Sequence, residues 1–309
     1  MPSADRCDGK KRFACLLWVT LAFLIPACER RKSARPIQTE ATPLPAVEKT
    51  TQNQRFRTYQ ITTSKDLMKL RESMGAQRFD DVLKLNRIDI RHARQGDSLV
   101  IPVVGEDWLA HAPFPSEWKE MEDQPKLIAV SLRIQAWAAY EAGRLVRWGP
   151  VSSGCEATPT PVGLYHTNWC QRRRRSTFNE EWQLKWYINL HNGNGISFHQ
   201  YELPGYPDSH SCLRLAADDS EWIYHWCQSW VLSPDQRKVL REGTPTIIFG
   251  DYAWGAQRPW KRIIEEPSAG SLNLDELAEA LRVFKDKTTP TQTKPALPIS
   301  LETGGTALH

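Results

Sequence analysis

The stretch Phe198-His199-Gln200-Tyr201-Glu202-Leu203-Pro204-Gly205-Tyr206-Pro207-Asp208-Ser209-His210-Ser211-Cys212-Leu213-Arg214-Leu215 gathers histidine, cysteine and arginine chemistry into a short run of chain. A thiol becomes a strong nucleophile as its thiolate, and a nearby imidazole can take the proton. A histidine at the end of a strand reaches such a thiol across a short loop, which a Pro204-Gly205 turn would close. The residue chemistry alone therefore supports a Cys–His acyl-transfer site. A zinc site built from His191, His199, His210 and Cys212 is the competing arrangement. Its spacing matches no zinc motif, so no metal and no cofactor are expected.

Outward from this stretch the chain reads as short strands broken by turns. Leu184–Leu190 and Gly195–His199 precede it. Further back lie Leu127–Leu132, Ala136–Tyr140 and Leu145–Val151, the last two flanking a hairpin turn at Glu141-Ala142-Gly143-Arg144. Thr246–Phe249 follows Gly243-Thr244-Pro245. Such a pattern predicts a mainly β domain of sandwich type with peripheral helices. One helix should start near Asp218 or Asp219 and carry Trp222, Ile223, Trp226, Cys227 and Trp230 on one apolar face. Another should run from Leu274 to Phe284. Arg172-Arg173-Arg174-Arg175 reads as a solvated basic loop between Cys170 and Phe178, and Trp169, Trp182 and Trp186 fall near loop regions.

These residues together closely resemble the L,D-transpeptidases with a YkuD-type catalytic domain. The signature of that family is a strand His, then Ser-His-Gly-Cys, an aliphatic residue and Arg. The order His then Cys is the reverse of papain-like and NlpC-type peptidases. The resemblance extends to Val151-Ser152-Ser153-Gly154, Thr160-Pro161-Val162-Gly163 and Gly243-Thr244-Pro245-Thr246-Ile247-Ile248, and so covers about residues 126–250. It implies Cys212 as nucleophile, His199 as general base and His210 as a supporting residue. It also implies Arg214, with Ser209 and Ser211, on the substrate side, Arg214 holding a carboxylate. Backbone N–H groups around Ser211 and Cys212 would face the oxyanion. The implied reaction cleaves the L,D bond of a peptidoglycan tetrapeptide stem through a thioester and passes the acyl group to an amine. The same site using water would be a carboxypeptidase or endopeptidase. A degenerate site would leave a non-catalytic wall-binding protein. The chain departs from the family at Ser211, where glycine is usual, and in a shorter interval between His199 and Cys212. If position 211 needs positive φ, serine there costs on the order of 1–2 kcal/mol, which active sites tolerate.

Residues 58–103 read as strand, helix, helix, strand. Tyr59-Gln60-Ile61 starts the unit, Ser64 is placed to cap a helix ended by Gly75, and Phe79, Val82 and Leu83 mark a second helix ending near Asn86. Leu99-Val100-Ile101 closes it before Pro102. Leu83-Lys84-Leu85-Asn86 and Gln95-Gly96-Asp97-Ser98-Leu99-Val100-Ile101-Pro102 resemble the lysin-motif (LysM) family, which implies binding to the glycan strand of peptidoglycan. Ser64-Lys65-Asp66-Leu67 departs from that family's usual first turn.

The rest of the chain fits an envelope protein. Lys10, Lys11 and Arg12 precede an apolar run, Phe13–Ala27, that is too short to span a bilayer and has the order of a secretory leader. Ile25-Pro26-Ala27-Cys28 resembles a bacterial lipobox, which implies lipidation at Cys28, a membrane anchor and a periplasmic or envelope location. With hydrophobic residues at 40 % and charged residues at 25 %, a polytopic membrane protein and a wholly disordered chain are both excluded. A net charge of +4 demands no nucleic-acid partner. The expected organisation is a leader over 1–27, a flexible tether over 28–57, the LysM-like unit over 58–103 and the catalytic domain over 126–252. A helical extension over 253–287 and a loose tail over 288–309 complete it. Seven cysteines cannot all pair. Cys155 and Cys170 share an exported, loop-rich segment, and a bridge between them would contribute roughly 3 kcal/mol.

Overall fold

The computed structural model describes residues 55–103, 107–176, 183–193 and 195–286. The expected leader, the lipidation site Cys28, most of the tether, Trp182 and the tail lie outside the described residues.

The βααβ order expected near residue 58 is present. Strand β1 (Phe56–Gln60), helices α1 (Asp66–Met74) and α2 (Ala76–Leu85) and strand β2 (Ser98–Pro102) follow one another. β1 and β2 pair antiparallel, from Phe56 opposite Pro102 to Gln60 opposite Ser98. Ile61, Leu70, Phe79, Val82, Leu99 and Ile101 fill the core beneath them. Gly75, at φ 83°, ends α1 and starts α2 in a conformation that suits glycine. Ser64 is not the cap of α1. Lys65 stands at that position with no side-chain cap bond, and Asp66 instead ties down the preceding turn, accepting N–H and hydroxyl bonds from Thr62 and Thr63. A carboxylate accepts more donors than a hydroxyl can.

The remaining strands are β3 (Leu127–Ser131), β4 (Ala136–Glu141), β5 (Arg144–Ser152), β6 (Gly163–His166), β7 (Cys170–Arg175), β8 (Gln183–His191), β9 (Ile196–Gln200) and β10 (Leu213–Leu215). Helix α3 (Ala217–Trp226) is followed by a small ribbon, β11 (Val231–Leu232) with β12 (Val239–Arg241), and then by β13 (Pro245–Phe249), α4 (Pro259–Arg262) and α5 (Leu274–Lys285). One mixed sheet of nine strands runs in the order β6-β13-β3-β4-β5-β10-β9-β8-β7. The mainly β expectation therefore holds, but the sandwich is made by one sheet curling on itself. Ile128, Val130 and Ile248 from one half share a core with Ile188, Phe198 and Leu213 from the other. On the outer face of the first half, Leu127, Ala129, Ile247 and Phe249 pack on Phe114, Trp118 and Val283 of α5. This division follows from the alternation of side chains along a strand.

The β4–β5 turn forms as expected, with Ala142 at φ 45° and Gly143 at φ 73°, the signs that a two-residue hairpin turn requires. Two expectations change. Arg172–Arg175 is part of the edge strand β7, paired with β8, and not a loop. Charge on an edge strand discourages further strand pairing, which gives these arginines a structural use. Helix α3 ends at Trp226, because Cys227 turns extended (φ −70°, ψ 159°). Trp230 therefore leaves the helix face, and its N–H binds the carbonyl of Asn168.

The βααβ element and the sheet belong to one compact unit that begins at residue 54. Arg87 fastens them. It is buried at φ 62°, with its guanidinium 5.2 Å from the Trp148 ring and 5.4 Å from the Trp260 ring. It donates to the carbonyls of Ile134, Lys84 and Leu85. Burial lowers its pKa to about 9. Beside it, Lys84 reaches Asp218 at 2.6 Å and the fully buried Asp219 at 3.1 Å. Arg147 pairs with the same two carboxylates.

Candidate active site

Strands β8, β9 and β10 lie side by side, and their alternation sorts residues onto two faces. Ile188, Phe198 and Leu213 stand in one cross-strand row on the core face. Ser197 and His199, which alternate with them on β9, face the other way, and there they meet Cys212 and Arg214. The sequence-predicted base on β9 and the nucleophile, just ahead of β10, therefore lie on one face. Arg214 stands directly opposite His199.

His199 is 4 % exposed. Its Nδ1 lies 3.1 Å from the carbonyl oxygen of Gln200. A carbonyl only accepts, so Nδ1 carries the proton and Nε2 keeps its lone pair. Burial lowers the His199 pKa to about 4, with the Arg214 charge acting in the same direction against the Gln200 bond. The imidazole is thus neutral at neutral pH.

Cys212 lies just ahead of β10. Its Sγ is 3.3 Å from the Ser197 hydroxyl and donates to the Gly195 carbonyl, also at 3.3 Å. Burial pushes its pKa up, and Ser197 hydrogen bonding and the Arg214 charge offset this only in part. The resting pair is therefore a thiol and a neutral imidazole, not a thiolate–imidazolium ion pair. On β8, Asn189 stands opposite Ser197, and its Nδ2 lies 3.5 Å from the Tyr187 hydroxyl. Polar groups of β8 thus lie beside the serine that meets the thiol.

The loop before Cys212 is clamped to the segment that follows β5. Ser209 Oγ donates to the Cys212 carbonyl at 2.5 Å. The Ser209 main chain bonds Ser153 O at 3.0 Å and Cys155 N at 2.8 Å. Ser211 does adopt positive φ, at 70°. Its hydroxyl donates to the carbonyls of Thr158 and Pro159 at 3.2 Å, and its own carbonyl accepts from Thr160 Oγ1 at 3.0 Å. These bonds hold serine where glycine would be easier. Gly154 is needed for contact, since a Cβ there would fall 2.2 Å from the Thr158 carbonyl. His210 is half-buried between the two serines.

Arg214 is buried, with Nη1 2.6 Å from Asp208 Oδ2. Its guanidinium also lies over the Tyr201 ring at 4.7 Å, and that ring meets His199 edge-on at 6.0 Å. The loop between His199 and Asp208 is gripped by the βααβ element. Asp89 accepts from Leu203 N at 2.9 Å and donates its own N–H to Leu203 O at 3.0 Å. Ile88 bridges to Pro204. Gly205 (φ 81°) leaves no room for a Cβ, which would sit 2.8 Å from Ile88 Cγ2. A cleft of about 770 Å³ runs along this junction, lined by Lys84, Asp89, Arg91, Lys185, Tyr201 and Glu202 among others.

Sequence reasoning missed Ser197, Tyr187 and Asp208. Alternation through Ile196-Ser197-Phe198-His199 was the signal that pointed to Ser197. The possible bridge between Cys155 and Cys170 is not formed: among the described residues both are free thiols. Cys155 is drawn to the active-site loop, with Sγ 3.3 Å from Thr158 Oγ1. Cys170 lies on the core face of β7, against Cys227.

Residues 125–248 match the family model of YkuD, the L,D-transpeptidase catalytic domain. No curated protein sequence matches the chain. Among solved structures, an L,D-transpeptidase (Yku) from Stackebrandtia nassauensis is similar at 20 % identity, over 42 % of this chain and 58 % of that one, with a TM-score of 0.34. An L,D-transpeptidase from Mycobacterium smegmatis is similar at 16 % identity over 41 % and 59 %, with a TM-score of 0.33. L,D-transpeptidase 1 of Mycobacterium tuberculosis is similar at 18 % over 40 % and 62 %, with a TM-score of 0.31. The chain thus spans less than two thirds of the length of each of these proteins.

Proposed function

We propose, from the premise that residues 125–248 match an L,D-transpeptidase catalytic domain, that this protein is a peptidoglycan L,D-transpeptidase with Cys212 as nucleophile and His199 as general base. The observation that carries the reading is a shared face: His199 keeps the lone pair on Nε2, and Ser197, on the same face of β9, lies 3.3 Å from the Cys212 thiol.

In this reading a tetrapeptide stem brings its L,D amide carbonyl to Cys212. The sulfur attacks, its proton passes to Nε2, and N–H groups around Ser211 and Cys212 take the oxyanion. Burial and Arg214 disfavour the imidazolium, so His199 readily returns the proton to the departing amine of the D-residue. A thioester remains. An acceptor amine then attacks it, His199 takes the amine proton, and the thiol is restored. Ser197 donates to the developing thiolate and lowers the cost of forming it in a dry site. Arg214, with Asp208 on one nitrogen, acts chiefly as a positioning residue. The carboxylate-binding role expected from the sequence would require it to share or release Asp208. Ser209 and Ser211 fix the loop that presents Cys212, and His210 supports it.

The wider plan belongs to the same proposal. The βααβ element over 58–103 resembles a lysin motif and would hold the glycan strand. Cys28 would carry the lipid anchor, with the protein exported to the periplasm or cell envelope. The acceptor is a stem peptide or a protein amine, and use of water would make the enzyme a carboxypeptidase or endopeptidase. Purified protein incubated with disaccharide-tetrapeptide should yield cross-linked dimers by mass spectrometry. Tripeptide alone would point to hydrolysis. Absence of turnover by the wild-type chain would leave a wall-binding protein.

A further inference from the structure

Two cysteines on the face opposite the active site take no part in that chemistry. Cys170 starts β7 and stands opposite Ile188 in the row Ile188, Phe198, Leu213, so it shares the core face. Cys227 is the residue at which α3 ends. Both pack on the same apolar cluster and both are partly exposed. Each thiol shifts the other's pKa, Cys170 down and Cys227 up, and the Ser229 hydroxyl, two residues beyond Cys227, lies 3.5 Å from Cys170 Sγ. They come from segments far apart in the chain.

We propose that Cys170 and Cys227 are the site of an intramolecular disulfide, formed by exchange with a disulfide donor, that ties the edge strand β7 to the end of α3. The leader read in the sequence directs the chain to compartments where such donors are met. Cys170 attacks first. The Cys227 thiol and the Ser229 hydroxyl lower its pKa, whereas Cys170, with burial, raises that of Cys227. The Cys170 thiolate displaces one thiolate from the donor disulfide and forms a mixed disulfide. Cys227 then loses its proton and attacks the Cys170 sulfur, displacing the second donor thiolate. Two protein thiols are oxidised by two electrons, the donor disulfide is reduced to two thiols, and the two protons leave with them. The sheet places this pair on the face opposite Cys212.

The test uses the full chain, purified under reduction and then exposed to oxidised glutathione. Denaturation in an alkylating agent, digestion and mass spectrometry follow. The expected result is a peptide pair joined through Cys170 and Cys227, two hydrogens lighter than the reduced pair, with loss of both alkylated peptides. Recovery of Cys170 and Cys227 as separate alkylated or glutathionylated peptides, or either joined to another cysteine, overturns the proposal. A Cys227→Ser variant should hold glutathione stably on Cys170, because the second attack is removed. If Cys170 remains fully alkylatable there, the assignment of the attacking thiol is wrong.

Discussion

The two faces of β8, β9 and β10 carry opposite properties on the same backbone. Phe198 and Leu213 lie in the core, fully buried and surrounded by hydrocarbon. Their immediate neighbours, His199 and Cys212, are also buried or nearly so, but among hydroxyls, carbonyls and a guanidinium. One residue of register separates stability from chemistry. Burial serves both faces differently. On the core face it supplies the hydrophobic term. On the site face it disfavours charge, which keeps the thiol protonated and the imidazole neutral.

The sharpest way to break this comparison is substitution of adjacent residues. Cys212→Ala should abolish transfer from the tetrapeptide stem while leaving the thermal midpoint close to wild type. Retention of full activity would mean that another group is the nucleophile. Phe198→Ala should do the reverse in kind, costing about 3–5 kcal/mol of unfolding free energy in a urea titration through the cavity it leaves. A loss well under 1 kcal/mol would show that the two faces are not divided as described.

Acid should separate the faces next. The folded state holds His199 near a pKa of about 4, below its ordinary value of about 6.5. The unfolded chain therefore binds more protons between these limits. The contribution of neutral His199 is complete above the ordinary value and is lost as pH falls through the folded one, about 3 kcal/mol in all. A His199→Gln variant should show a correspondingly flatter stability profile across this window. An unchanged profile would mean that His199 titrates normally. The smallest effect is expected at Ser197. Ser197→Ala removes a donor to the sulfur, worth about 1 kcal/mol, or roughly fivefold in rate of thiol alkylation at fixed pH. The apparent thiol pKa should rise with little change in midpoint. Alkylation as fast as wild type would remove Ser197 from the site.

Much of this arrangement was legible in the chain because local chemistry and tertiary structure agree. His199 and Cys212 stand out as titratable groups in a strand–loop–strand context. The Glu141–Arg144 turn and the Leu274–Phe284 helix formed as read, the latter with an Asn273 capping box. What stayed hidden was set by distant contacts. Arg172–Arg175 looked like a solvated loop because four charges conceal an edge strand whose pairing partner is β8. Trp230 kept helical spacing after the helix had ended, since the competing acceptor, Asn168 O, lies far back in the chain. Asp208 could not be assigned to Arg214 without the loop geometry that brings them to 2.6 Å. The curl of the sheet depends on cross-strand neighbours that no single strand reveals.

The grip of Asp89 and Ile88 on Leu203 and Pro204 has a practical consequence for anyone dissecting the molecule. The segment that looks self-sufficient by family match begins after these two residues. An expression fragment cut at residue 125 would retain His199 and Cys212 but lose the brace on the loop that joins them, along with the Arg87 anchor beneath Trp148. Fragment boundaries for this protein are therefore better drawn by its hydrogen bonds than by its likeness to other chains.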